Sequence, residues 1–213
     1  VPEEASVLVP QPMLAHVAQR WHFTCLSHVL INERAPENIF KYKFVILDIH
    51  GVLTDCVLYY ADDGKKSEMF SLHDRLGCRA LIEGGIGVAF LTSKITRTDE
   101  QVGNIYSVPP ERLWGTSAKI GKLDEFEKES GLKDEDICYV GDEMIDLGVM
   151  RRAGFSVAPG DASVLAKDDA DFITHRGGGK GVVRELAQFI LTAQGKWAAV
   201  AEKLGRKWIA TDL

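Results

Sequence analysis

An open, doubly wound parallel α/β sheet is the architecture the sequence predicts, on three observations. Short apolar runs rich in β-branched residues recur along the chain, the clearest being Phe44-Val45-Ile46-Leu47, Gly87-Val88-Ala89-Phe90-Leu91 and Ile137-Cys138-Tyr139-Val140. Unbroken runs of this kind, rather than alternating ones, mark parallel strands buried on both faces. Segments of helical period separate them, and each run ends in a polar or acidic residue: Asp48, Thr92 and, after Gly141, Asp142. Strands alternating with helices give a parallel sheet covered on both sides, and ligands gather at the carboxyl ends of its strands, at the topological switch point.

Residues 1–38 stand apart, because Pro2, Pro10, Pro12 and Pro36 punctuate them and the apolar residues between Met13 and Ile31 keep no clean period. They are expected to form an extension carrying no more than one helix. After the first core strand, Val57-Leu58-Tyr59-Tyr60 and Glu68-Met69-Phe70 flank Asp62-Asp63-Gly64, the turn chemistry of a β-hairpin. A helix from Arg75 to Gly84 leads to the second core strand. A helix from Thr98 to Asn104 and a short strand at Arg112-Leu113-Trp114 follow. Lys119 to Ser130 has the pattern of an amphipathic helix stopped at Gly131. Beyond the third core strand the sequence predicts a helix from Ile145 to Ala153 and short strands at Phe155-Ser156-Val157 and Ala170-Asp171-Phe172-Ile173. A long helix from Gly181 to Ala193 closes the pattern. The main domain is expected over 39–197, with a partly helical tail at 198–213.

Composition excludes several classes. With 46% hydrophobic and 26% charged residues the chain can bury a core, so it is not a disordered tail. A net charge of -6 excludes a general nucleic-acid binder, which needs a basic surplus against phosphates. It leaves room for a small anionic substrate, whose pocket needs only a few local cations. Cys25, Cys56, Cys78 and Cys138 are scattered without CxxC or Cys/His ligand spacing, as expected of reduced thiols in a cytoplasmic protein. No apolar run is long enough to span a bilayer and no signal-peptide layout opens the chain, so no membrane association is expected.

The strand ends carry the chemistry. Asp48, followed by Ile49-His50-Gly51, is a carboxylate on a tight turn, able to attack a phosphoryl group once a cation neutralises the charge. Asp142, Glu143 and Asp146 would converge on it and make an oxygen-rich site suited to Mg2+. Thr92-Ser93-Lys94 offers a hydroxyl and N–H groups at an expected helix start, a seat for phosphate. Lys119 supplies a cation for the transferring group.

In this order, Asp48, Thr92, Lys119 and Asp142 resemble the four signature motifs of the haloacid dehalogenase-like superfamily. Three further segments narrow the resemblance: Gly51-Val52-Leu53-Thr54-Asp55 with its hairpin, Gly177-Gly178-Gly179-Lys180-Gly181-Val182-Val183-Arg184-Glu185, and Ala193-Gln194-Gly195-Lys196-Trp197. Together they are similar to the 3-deoxy-D-manno-octulosonate 8-phosphate phosphatase group, whose relatives include nonulosonate 9-phosphate phosphatases. The resemblance runs from Phe44 to Trp197.

It implies a Rossmann-like fold with a β-hairpin in place of a cap domain, and Mg2+-dependent hydrolysis of a phosphorylated sugar acid through an aspartyl-phosphate. Asp48 would be the nucleophile. Asp48, the backbone carbonyl of His50 and Asp142 would hold the metal, with Glu143 and Asp146 supporting. Thr92, Ser93 and Lys119 would bind the phosphoryl oxygens. His73, Asp74, Arg75 and Lys180 would face the substrate. A homotetramer built through the hairpin is implied, with Lys196 reaching a neighbour's site.

The chain departs from the family pattern at the mouth of the site. His50 replaces the usual acid–base Asp, and histidine can donate and accept a proton near neutrality. Ser93-Lys94 replaces Gly-Arg, His73-Asp74-Arg75 replaces Arg-Asp-Gly, and Lys180 stands where Arg is common. Arg and Lys grip a carboxylate differently, so the substrate can differ from the octulosonate. Two other readings fit the same residues: a phosphatase-like module that scaffolds an oligomer or binds a sugar acid without turnover, and phosphoryl transfer to an acceptor other than water.

Overall fold

A computed structural model describes residues 41–211, so the extension expected over 1–38 lies outside the described residues. In chain order the elements are β1 (Phe44–Leu47), β2 (Tyr59–Tyr60), β3 (Lys66–Ser67), α1 (Leu72–Glu83), β4 (Gly87–Thr92), α2 (Arg97–Ile105), β5 (Leu113–Gly115), α3 (Lys119–Ser130), β6 (Ile137–Val140), α4 (Leu147–Met150), β7 (Phe155–Ala158), α5 (Val164–Asp169), β8 (Phe172–Ile173), α6 (Val182–Ala193) and α7 (Trp197–Thr211).

One parallel sheet has the order β5-β4-β1-β6-β7-β8, and β2 pairs antiparallel with β3 as a separate hairpin. From β1 the chain moves outward through β4 to β5, then crosses back to β6 and runs outward the other way. The switch point therefore lies at the carboxyl end of β1.

The unbroken apolar runs feed two cores, because successive strand residues point to opposite faces. Val45, Leu47, Val88, Phe90, Cys138 and Val140 pack with Cys78 of α1, Val102 of α2 and Leu186 of α6. Phe44, Ile46, Ala89, Leu91, Ile137 and Tyr139 pack with Leu123 of α3, Val149 of α4 and Ala166 of α5. Val200 and Leu204 of α7 join the first core, so this helix packs onto the sheet's helical layer. No helix among the described residues is long and apolar enough to cross a membrane.

Several elements differ from expectation. The helix expected from Ile145 to Ala153 is a 3-10 turn, Met144–Asp146, followed by the single turn of α4. The side chain of Asp146 accepts from the N–H groups of Asp142 and Glu143, which tightens the start. Gly154 N–H then pairs with the Asp134 carbonyl at 2.7 Å and draws the chain out toward β7. The hairpin pairs only Tyr59 with Ser67 and Tyr60 with Lys66, leaving Glu68-Met69-Phe70 outside the ladder. α5 was not expected: Val164 and Leu165 are exposed, so it presents no apolar stripe, and the Ser163 hydroxyl caps it.

Candidate active site

Every strand of the switch point delivers a polar side chain to one cleft. Asp48 follows β1 and is 4% exposed. The chain then turns at Gly51, whose φ of 87° is left-handed, and a Cβ there would collide with the Asp142 carboxylate. Gly178 lies against the backbone of Gly51 and Thr54, where any side chain would collide. The Gly-rich segment is held there by Asp74, which is fully buried and accepts from Gly181 N–H at 3.0 Å and Val183 N–H at 2.7 Å.

The centre is a carboxylate cluster around one ammonium. Asp48, Asp142 and Asp146 each place an oxygen within 4.8 Å of the others. Lys119 Nζ donates to Asp48 Oδ1 at 2.8 Å and Asp146 Oδ1 at 2.7 Å. The Tyr139 hydroxyl donates to Asp146 Oδ1 at 2.5 Å. Both oxygens of Asp146 are thus engaged by protein donors, so its task is to fix Lys119 and the Asp142 loop. Asp48 and the half-buried Asp142 are the carboxylates better placed to meet an ion.

Charge in this cleft does not balance. Burial, and then the charge of Asp146, push Asp48 up to about 6 although Lys119 pulls the other way. Burial, then Asp48, Asp146 and Glu143, push Asp142 up to about 7. Burial would lower the Lys119 ammonium, but Asp48 and Asp146 outweigh it and the net shift is upward. A divalent cation would relieve this repulsion, and an all-carboxylate donor set fits Mg2+ better than a metal that favours nitrogen or sulfur.

The sign of the pH effect follows. Asp48 and Asp142 start from 3.8, so between that value and about 7 the metal-free folded chain binds more protons than the unfolded one. Stability of the metal-free protein is then expected to fall as pH rises through this window. Mg2+ at 100 times its Kd should add about 2.7 kcal/mol at pH 8, a rise in Tm of roughly 5–10 °C for a chain of this size. Thermal unfolding at pH 5 and pH 8, with Mg2+ and with chelator, measures both. A metal-free Tm that rises from pH 5 to pH 8 would contradict this electrostatic picture.

Other expected residues fall into three groups. Thr92 is buried at the end of β4, with its Oγ1 3.4 Å from His50 Nδ1, inside the cleft. Ser93 and Lys94 are exposed, and α2 begins only at Arg97, capped by Thr96. The segment expected to seat phosphate is therefore a loop rather than a helix start. Glu143 is exposed and accepts from Met144 N–H at 2.7 Å, outside the three-carboxylate cluster.

At the rim, Lys180 is 64% exposed, and His73 lies with Arg176 beside Gly181. Arg75 is half-buried, with its Nε unpaired among the described residues. Asp74, expected at the substrate, is instead sealed under the Gly-rich turn, because both its oxygens serve backbone donors; burial pushes its carboxyl up to about 6. Lys196 donates to the Gly84 carbonyl at 3.0 Å, at the opposite end of α1 from this chain's own cleft.

Two participants were not anticipated. Tyr139 was read as one more apolar strand residue, although its position next to the carboxyl end of β6 put its hydroxyl near the site. Glu68, 3.3 Å from His50 Nε2, lies in no motif and comes near only through the hairpin's path.

Comparison with known proteins agrees with this geometry. A family described as haloacid dehalogenase-like hydrolase matches residues 115–186. The 3-deoxy-D-manno-octulosonate 8-phosphate phosphatase KdsC of Salmonella typhi is 34% identical over 176 residues, covering 80% of this chain and 87% of that one. The crystal structure of the corresponding phosphatase from Yersinia pestis superposes with a TM-score of 0.73 at 31% identity, covering 78% of this chain and 89% of that one. The Moraxella catarrhalis phosphatase, in complex with magnesium ion, phosphate ion and KDO, superposes with a TM-score of 0.74 at 26% identity, covering 79% and 96%. On sequence, sheet order and the placement of its acidic cluster, the chain belongs to the haloacid dehalogenase-like hydrolases, in the 3-deoxy-D-manno-octulosonate 8-phosphate phosphatase group.

Proposed function

We propose that this chain is a Mg2+-dependent phosphomonoesterase that hydrolyses a 2-keto-3-deoxy sugar acid phosphate through an aspartyl-phosphate. The observation that carries the reading is Asp48 at the switch point, 2.8 Å from the Lys119 ammonium and clustered with Asp142 and Asp146. Asp48 and Asp142, with the backbone carbonyl of His50, would hold the ion. When bound, Mg2+ neutralises charge between the nucleophile and the phosphoryl oxygens.

The remaining roles belong to the protein. An Asp48 oxygen attacks phosphorus while Lys119, fixed by Asp146 and Tyr139, stabilises the charge on the phosphoryl group. Thr92 and the N–H groups of the Ser93 loop orient that group. His50 protonates the leaving oxygen and then deprotonates the attacking water.

Recognition of the sugar acid falls to the rim. Arg75, Arg176 and Lys180 offer positive charge for a carboxylate, and His73 adds a ring nitrogen for hydrogen bonding. Asp74 acts at one remove by holding the Gly-rich turn. Exposed Val57, Leu58, Tyr59, Tyr60, Met69 and Leu72 form an apolar surface on and beside the hairpin, which supports a homotetramer in which Lys196 serves a neighbour's cleft. Free thiols at Cys56, Cys78 and Cys138 favour a reducing, cytoplasmic setting.

Phosphate release from a panel of sugar acid phosphates, with and without Mg2+, tests the reading. Metal-dependent turnover is the expected result. Folded, magnesium-binding protein that releases no phosphate above background on any of them would be a phosphatase-like module instead.

A further inference from the structure

We propose that Glu68 is a positioning residue for His50: it holds the imidazole through Nε2, so that Nδ1 faces Thr92 and is the nitrogen that moves the proton. This rests on the phosphatase reading above. His50 is spanned between two contacts, Nε2 at 3.3 Å from Glu68 Oε1 and Nδ1 at 3.4 Å from Thr92 Oγ1. A carboxylate offers only acceptors, so Glu68 favours the proton on Nε2 and leaves the lone pair of the neutral ring on Nδ1. The Thr92 hydroxyl donates or accepts, so it accommodates Nδ1 with or without a proton.

Burial supports the assignment. The Glu68 side chain is only 13% exposed, although it directly follows a hairpin strand whose residues are exposed. A carboxylate is drawn in from water at a cost unless it meets a partner. The partner it meets is the His50 ring, 3.3 Å away. Glu68 also belongs to the field of the same cleft: the Cys56 thiol is pushed up by burial, then by Asp142, Asp48 and Glu68.

The chemistry explains why such a residue is needed here. An aspartate at position 50 would present two equivalent oxygens and need no control of tautomer. An imidazole has two different nitrogens and can rotate, so it needs a group that decides which one faces the reaction. With the ring carrying a proton on both nitrogens at the start, an Asp48 oxygen bonds to phosphorus, the bond from phosphorus to the ester oxygen breaks, and Nδ1–H protonates that oxygen, leaving the neutral Nε2–H ring. Water then attacks the aspartyl-phosphate and Nδ1 takes its proton. The bond from phosphorus to Asp48 breaks, releasing phosphate and restoring both the carboxylate and the protonated ring.

The test combines kinetics with a readout independent of turnover. Glu68→Ala is expected to lower kcat about tenfold or more, part of the 10²–10⁴ that general acid–base catalysis supplies, with KM little changed. Glu68→Gln, which keeps an acceptor oxygen beside Nε2 without the charge, should recover part of that loss. In a His50→Asp background Glu68→Ala should have no such effect. Nitrogen-15 spectra of the histidine rings, recorded at a pH high enough for neutral imidazoles and with His50 assigned by its absence in His50→Asp, should show the Nε2–H tautomer in the parent chain and its loss in Glu68→Ala.

Equal losses in both backgrounds, a change confined to KM, or a tautomer unaffected by Glu68→Ala would overturn the proposal. A parent chain that shows the Nε2–H tautomer yet releases no phosphate from any sugar acid phosphate or from p-nitrophenyl phosphate would overturn the phosphatase reading, and with it the proton-transfer role. Such a chain would still keep the Glu68 contact.

Discussion

Replacing Asp48 with Asn is expected to lower kcat by about 10⁴-fold or more, the scale of loss when a covalent nucleophile is removed. The substitution is nearly isosteric, so the fold should survive. Lys119 keeps its contact with Asp146 at 2.7 Å, so the ammonium is not left without a partner. Burial and repulsion push the Asp48 carboxyl up to about 6 in the metal-free chain, so removing its charge should leave stability near pH 8 unchanged or raised. The gain in Tm on adding Mg2+ should shrink, because one of the two carboxylates proposed to hold the ion is gone. Phosphate release and thermal unfolding with and without Mg2+ measure the three effects together. Undiminished turnover would remove Asp48 from the reaction.

Lys119→Met should damage both activity and stability, and this separates it from the first variant. Its side chain is 2% exposed and bridges Asp48 and Asp146, so the variant leaves two buried carboxylates facing each other with Asp142 nearby. Breaking a buried ion pair from one side typically costs about 3–5 kcal/mol. Loss of one preorganised donor to the developing charge typically costs about 10²–10³ in kcat. Mg2+ is expected to recover part of the stability by taking over the neutralisation, but little of the rate. Lowering the pH should also recover stability, because protonated carboxyls no longer repel. Chemical denaturation at pH 5 and pH 8, with chelator, tests this; equal losses at the two values would mean that Lys119 acts through packing rather than charge.

How much of the site was legible depended on how local its causes were. Asp48, Thr92 and Asp142 could be read because each lies at or just beyond the end of a buried apolar run, and the carboxyl end of a parallel strand is where such a sheet puts its chemistry. Lys119 was legible as the first residue of a clear amphipathic helix. The acidic cluster after β6 was legible as a group but not in its division of labour. Glu143 turned outward to Met144 N–H, while Asp146 turned inward to Lys119, Tyr139 and the loop backbone. Nothing in the order Asp142-Glu143-Met144-Ile145-Asp146 distinguishes these, because the 3-10 turn that separates them packs against α4 and α5 and is closed by Asp146 on the Asp142 and Glu143 N–H groups.

The sequence by itself determined the sheet, its two-faced burial and the four positions that meet at the switch point, because strand burial and helical period are local properties of the chain. Only the tertiary structure decided which charges pair. Asp74 came to lie under Gly181 and Val183, more than a hundred positions away, and became an anchor instead of a substrate contact. Glu68, just after the hairpin, came within 3.3 Å of His50, and Lys196 was carried to the far end of α1. Hydrogen bonds and ion pairs require groups within about 3 Å, and whether residues distant in sequence meet at that range is settled by packing the elements together, not by the pattern within any one of them.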